Sequence, residues 1–391
     1  MAAVGAPSPA PPPAAAPAHK HLTELALPFN ASRPLHPIAI SFVGAIRTLW
    51  LPFMAKELRA KLPRSADVFM TVSLSDPTQH ANAHGHLARV VRAVRGLQPV
   101  HVHVLHVLTC ENETARAELT CCDAEKLARA QARGVKLNNA TPFTMGNHAH
   151  GILSYFHVRQ GFREVAAYEA RRGKRYDWIV RTRPDVLPLL PLGAELFLQR
   201  LDPDRVSVPY KKPGIPGVLA DWFFAVPRRL ADWFFEVALL GCLKHNEING
   251  GFDVSQRKTC FFGEIYHAPE YLLGPYVKRH LGSPRGGLSD GTGLFPVALM
   301  RKRPPPQPPE TRTGMKKHRD PAEERRGIYE LECELHDHRW PPAVRQRCYA
   351  IDDFLHRAPA ALIESLPDSE PGTMTAALDA LDPARPKRSR V

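Results

Sequence analysis

Tyr176-Asp-Trp-Ile-Val-Arg-Thr-Arg-Pro-Asp185 is the stretch on which the fold turns. Trp178, Ile179 and Val180 form a short apolar run, the pattern of a buried strand expected over 176–182. Pro184 ends it, because proline has no N–H to offer a ladder. The same pattern lies upstream. Ile38-Ala-Ile-Ser-Phe-Val43 reads as a first strand closed by Gly44, residues 54–62 as a helix stopped by Pro63, and Ala66-Asp-Val-Phe-Met-Thr-Val72 as a second strand. A helix over 86–97, a strand over 100–108 and a helix over 117–133 follow. Between 152 and 172, Ile152, Tyr155, Phe156, Phe162, Val165 and Ala166 fall near one face at helical spacing. Strands alternating with helices imply an α/β fold with a mostly parallel central sheet and helices on its faces.

Downstream, 206–209 and 222–226 read as short strands, the second followed by a helix over 228–241, and 261–281 contains another helical stretch. The expected organisation is a disordered Pro/Ala-rich leader at 1–35, one α/β domain at 36–300, a Pro-rich basic linker at 301–327 and a partly disordered C-terminal extension at 328–391. Within that extension, Ile328-Tyr-Glu-Leu-Glu-Cys-Glu-Leu335 fits a strand or a helix equally.

The 391 residues carry 52 Lys and Arg against 39 Asp and Glu, a net charge of +13 that favours anionic partners. Much of the excess lies in Met300-Arg-Lys-Arg303, Met315-Lys-Lys-His-Arg319 and Pro386-Lys-Arg-Ser-Arg390. These runs lack the interleaved aromatic residues of a nucleic-acid surface, so solvated linker is the expectation and no nucleic acid is expected as partner. The seven cysteines form no C-x-x-C pair. Cys110 with Cys121, Cys242 with Cys260 and Cys333 with Cys348 are possible local disulfides, leaving Cys122, and buried free thiols fit as well. Sequons at Asn30, Asn112 and Asn139 favour a Golgi or secretory lumen and a glycoprotein. Against this, no signal peptide and no membrane-length apolar segment is visible, which leaves the cytoplasm open.

In an open α/β sheet ligands bind beyond the carboxyl ends of the strands. Gly44-Ala-Ile-Arg47 lies just past the first strand, where glycine admits a ligand to the backbone and a guanidinium can meet a phosphate; a surface arginine on a turn is the other reading. In an alternating strand Arg181 and Arg183 face the same side. Two cations aimed at one spot repel unless an anion lies between them, and a diphosphate is a natural candidate. Asp185 offers an oxygen ligand for Mg²⁺ or Mn²⁺, or else it belongs to an ion-paired strand end. Asp67, in the second strand, joins Gly44, Arg47, Arg181, Arg183 and Asp185 as a candidate binding residue. The histidines at 80, 84, 86, 101, 103, 148 and 150 give no expected metal site, since no carboxylate close by in the sequence completes a ligand set.

Gly44-x-x-Arg47, the Tyr155-Phe156 helix running to Tyr168-Glu169, and the Arg-x-Arg-Pro-Asp185 segment together resemble a broad group of glycosyltransferase-like proteins. That group includes bacterial lipopolysaccharide-synthesis proteins and uncharacterised eukaryotic relatives. The resemblance continues through Asp221-Trp-Phe-Phe-Ala-Val226 and, more weakly, Pro269-Glu-Tyr-Leu-Leu273, spanning about 38–281. It implies a GT-A-like three-layer fold, a nucleotide-diphosphate sugar as donor and a glycan or other hydroxyl compound as acceptor. It also places Asp185 at the last carboxylate of an Asp-x-Asp metal motif. Here Arg183 stands at the first position of that triplet, so either Asp185 and the diphosphate hold a metal, or Arg181 and Arg183 replace it. Inverting transfer needs a carboxylate base, for which Asp221, Glu264 and Glu270 are the candidates. The competing readings are an inactive nucleotide-sugar-binding scaffold of the same fold and a basic nucleic-acid-binding protein.

Overall fold

The computed structural model describes residues 22–32, 36–76, 81–82, 86–105, 146–209, 222–238, 288–290, 294–302, 329–333, 340–358 and 363. Its centre is a seven-stranded sheet. In chain order the strands are β1 (Ile38–Ala45), β2 (Ala66–Ser73), β5 (His101–Val104), β6 (Trp178–Thr182), β8 (Val206–Val208), β9 (Phe223–Pro227) and β10 (Leu288–Asp290). In space they run β10-β8-β9-β6-β1-β2-β5. β5, β2, β1 and β6 are mutually parallel; β9 is antiparallel to both β6 and β8, and β10 is parallel to β8. Six strands therefore share one direction, and the fold is α/β with a mostly parallel sheet.

The central strands have near-continuous apolar runs because both faces are covered. On one face, Ile40, Phe42, Val68, Met70 and Val180 pack under α1 (Pro52–Lys61) and α2 (Leu87–Leu97). α1 starts with Pro52 in its first turn, where a missing N–H costs nothing, and carries Arg59 and Lys61 in its last turn against the helix dipole. α2 buries Val90, Val91, Val94 and Leu97 at helical spacing and closes on Gln98 in the left-handed region, φ 51°.

On the other face, α3 (Gly146–Arg172) lays Val158, Phe162 and Val165 on Ala39, Val43, Phe69 and Ile179. Gly161 permits this approach: a Cβ there would stand 2.5 Å from Val43 Cγ2 and 3.2 Å from Ser41 Oγ. α4 (Arg228–Trp233) and the π-helical turn Phe234–Ala238 flank α3 on this face, with Phe235 stacked on Phe162 at 4.9 Å. Arg228 and Glu169, both buried, clamp α4 to α3 at 2.8 Å, and Glu169 also accepts the Tyr176 N–H.

A second sheet sits beyond the carboxyl ends of β1 and β6. It is formed by β7 (Val186–Pro188), β11 (Val297–Lys302) and β12 (Tyr329–Glu332), in the order β12-β11-β7, all antiparallel. The remaining two-stranded sheet pairs β3 (Ser75–Asp76) with β4 (Ala81–Asn82).

Two expected boundaries are corrected. The division at 300 does not separate a unit: β12 pairs with β11, and α5 (Pro342–Arg357) places Val344, Cys348, Ile351 and Phe354 in the same core as β1 and β2. Cys333 and Cys348, one of the three pairs considered, form a disulfide between the end of β12 and α5. The other five cysteines lie outside the described residues. Nor is all of 1–35 a loose leader. Leu22 is fully buried in the main core, the Leu27 N–H donates to Pro99 O at 2.8 Å, and Phe29 meets Tyr168 edge-on. The helices expected over 117–133 and 261–281 fall outside the described residues. No described helix is long and apolar enough to cross a membrane.

Candidate functional site

β1 lies between β2 and β6, and the chain winds outward from it in both directions, so the β1/β6 junction is the topological switch point of the sheet. Gly44, at the carboxyl end of β1, has φ 126°, a backbone state that side chains rarely adopt, and Pro184 Cδ lies 4.0 Å from where its Cβ would be. The loop after β6 thus folds over the end of β1. Arg183 N–H donates to Trp222 O at 3.1 Å, Val186 N–H to Arg183 O at 3.2 Å and Met300 N–H to Asp185 O at 2.8 Å. Thr48 Oγ1 donates to Met300 O at 3.3 Å, tying the loop after β1 to β11 as well.

Inside this frame Asp185 is fully buried and held by two arginines. Arg183 donates through Nε to Oδ1 at 2.9 Å and through Nη2 to Oδ2 at 2.6 Å, and Arg47 Nη1 donates to Oδ2 at 3.2 Å. Burial alone would raise the carboxyl pKa. The Arg183 and Arg47 charges, with Arg301 behind them, outweigh burial and hold it down at about 2. Behind this trio Arg301 Nε lies 2.6 Å from Glu332 Oε1, and burial pushes the Glu332 carboxyl up against the opposing pull of Arg301.

The convergence of two cations on one anion is therefore present, with different members from those expected. The cations are Arg47 and Arg183, and the anion is the chain's own Asp185. Arg181 is buried with its guanidinium 5.5 Å over the ring of Phe224, on the sheet face covered by α3. The alternation that would align it with Arg183 fails because β6 ends at Thr182, and Arg183 is already in the turn.

Three guanidinium N–H groups take three of the roughly four lone-pair positions on the Asp185 oxygens, so a divalent cation at this carboxylate would compete with Arg47 and Arg183. Asp67 sits one residue into β2, at the amino edge of the sheet, and its Oδ2 accepts the buried Tyr176 hydroxyl at 3.0 Å. The burial and negative charge of that neighbourhood push the Tyr176 phenol far up. Asp67 is thus remote from the carboxyl-edge cluster. Asp221, Glu264 and Glu270 lie outside the described residues.

Arg301 and Glu332 were missed because both lie in or beside stretches read as linker and extension. The available clue was Val297-Ala-Leu-Met300, an apolar run leading directly into the arginine. A carboxylate does reach the β5 histidines, from across the fold: Glu164 of α3 lies 2.9 Å from His101 Nε2 and 3.5 Å from His103 Nδ1. Among the described residues, no group of three or more His, Cys, Asp or Glu has the arrangement of a metal site. No family model and no curated protein matches this chain.

Proposed function

We propose that this chain is a glycosyltransferase of GT-A-like fold that moves a sugar from a nucleotide-diphosphate donor to a glycan or other hydroxyl acceptor. The observation that carries the reading is Arg47 and Arg183, delivered from two adjacent parallel strands to the switch point of the sheet and fixed there by one buried carboxylate. The trio holds two positive charges against one negative. In this reading Asp185 positions the arginines, and the arginines bind the diphosphate and offset the charge that grows on it as the sugar–oxygen bond breaks. In this reading Arg47 and Arg183, already held by Asp185, meet the charge that a divalent cation would otherwise offset.

The acceptor hydroxyl must lose its proton as the nucleotide diphosphate leaves. Asp221, Glu264 and Glu270 are the candidates for that base, and Asp→Asn or Glu→Gln at each, read by transfer rate, identifies which one acts. A secretory lumen fits the exposed Asn30 sequon and the Cys333–Cys348 disulfide.

The burial of Asp185 favours one alternative, a nucleotide-sugar-binding scaffold that keeps the site without turnover. A thermal-shift screen of the full chain against UDP, GDP, CMP and their sugars, with and without Mn²⁺, followed by a nucleotide-release assay, separates the two. The transferase reading expects one nucleotide diphosphate to raise the midpoint without metal, the effect to vanish in Arg47→Ala, and the sugar donor to be turned over. Binding without turnover supports the scaffold. No shift with any nucleotide sinks both.

A further inference from the structure

A second site is carried by the outer surface of α1 and α2, on the side of these helices that faces away from the sheet. The two run side by side, and between them lies a groove of about 760 Å³, within the range of small-molecule sites. Five cations line it: Lys56 and Arg59 from α1, Arg64 just beyond it, and Arg89 and Arg92 from α2. The i, i+3 spacing of Lys56 with Arg59 and of Arg89 with Arg92 brings each pair to one helix face. Among the described residues, no carboxylate lines the groove. The one acid of α1, Glu57, pairs with Lys61 and approaches Arg347 at 4.0 Å.

Ala55, Ala60, Ala93 and Gly96 also line the groove, residues too small to fill the space between the helices. Lys56 Nζ is buried, with no hydrogen-bond partner among the described residues. An anion in the groove would give that ammonium group a charge-assisted partner. Four of the five cations are arginines, whose planar fork suits bidentate recognition of phosphate oxygens. Trp50, at one end of the groove, is only 4% exposed and lies stacked on His86 at 3.8 Å, with Arg89 5.7 Å from its ring centre. Among the described residues of the groove, no open aromatic face is offered to a nucleic-acid base, which argues against single-stranded nucleic acid as the occupant.

We propose that the α1/α2 groove binds a compact ligand bearing several phosphate groups, either a soluble polyphosphate or the phosphorylated headgroup of a lipid. The site is separate from the β1/β6 switch point and does not depend on the transferase reading.

The test uses the full chain and two probes. Titration calorimetry with inositol hexakisphosphate measures the soluble form, and co-sedimentation with phosphatidylcholine vesicles, with and without a polyphosphoinositide, measures the headgroup. Arg59→Glu with Arg92→Glu alters exposed residues only, and Lys174→Glu with Arg175→Glu makes the same charge change on the turn after α3. The groove variant should weaken binding at least about tenfold, the change expected for losing one charge-assisted contact, while the control variant retains it. Binding of the soluble probe identifies a free polyphosphate, and binding of the vesicles alone identifies a headgroup; either supports the site. Three outcomes overturn it: no binding of either probe by folded protein, equal weakening in both variants, or tighter binding of random duplex DNA than of either probe.

Discussion

Arg47 and Asp185 are separated by 138 positions in the chain and by 3.2 Å across a salt bridge. Each strand on its own would end in a charged loop. Brought together, the two ends make one buried electrostatic unit with Asp185 at its centre, and the unit should be as important to the fold as to any ligand.

A carboxylate that only bound a ligand would be dispensable for stability. Asp185 is fully buried and compensates two arginines, so Asp185→Asn should destabilise by about 3 kcal/mol, the usual cost of removing one partner of a buried pair. Urea denaturation followed by circular dichroism checks this. An unchanged midpoint would show that the trio contributes nothing to folding.

The acid limb of stability follows from the same group. The Asp185 pKa is lowered from 3.8 to about 2, so its contribution is fully present above pH 3.8 and is lost as the pH falls through about 2. The wild-type chain should lose stability across that window, and Asp185→Asn should lose less over the same interval. Parallel acid profiles for the two proteins would contradict the assignment.

Two glycines should respond in opposite directions. Gly161→Ala places a methyl 2.5 Å from Val43 and should destabilise by roughly 1–3 kcal/mol through overpacking of α3 on β1. At Gly96 of α2 a Cβ meets nothing, so Gly96→Ala should be neutral or stabilising by up to about 1 kcal/mol. Chemical denaturation of both variants is the check, and equal effects would remove the close helix–strand approach from the account.

The Cys333–Cys348 bridge closes a loop of sequence separation 15 and should contribute about 3 kcal/mol on the chain-entropy account. Cys333→Ser should lower stability by that order and loosen α5, with amide exchange rising first around Cys348. If reducing agent leaves the denaturation midpoint of the wild-type chain unchanged, the bridge is absent in solution.

The central sheet was legible because β1, β2 and β6 are local: Ile38-Ala-Ile-Ser-Phe-Val43 and Trp178-Ile-Val180 carry their apolar pattern within a few residues. The identity of the cations at the switch point was half legible. Strand-end logic placed Arg47, Arg183 and Asp185 at one edge of the sheet, but only the fold shows that they bind one another. The β7-β11-β12 sheet was not legible, since three short antiparallel strands separated by long stretches leave no period to read. Leu22, Leu25, Leu27 and Phe29 were hidden differently. Their apolar spacing follows directly on a Pro/Ala run, and averaging over both makes a docked segment look like a tail.

Met300 N–H donates to the carbonyl of Asp185, and Arg301 and Glu332 stand behind the trio. The ribosome, however, delivers Arg47 first and Glu332 nearly three hundred residues later. A domain folds as a unit, and β11, β12 and α5 share the core of β1 and β2, so the rear wall of the site is among the last parts the core receives. A nascent chain cut short before β11 lacks both the strand that bonds Asp185 and a share of the core beneath it, so closing the site and completing the fold are one event.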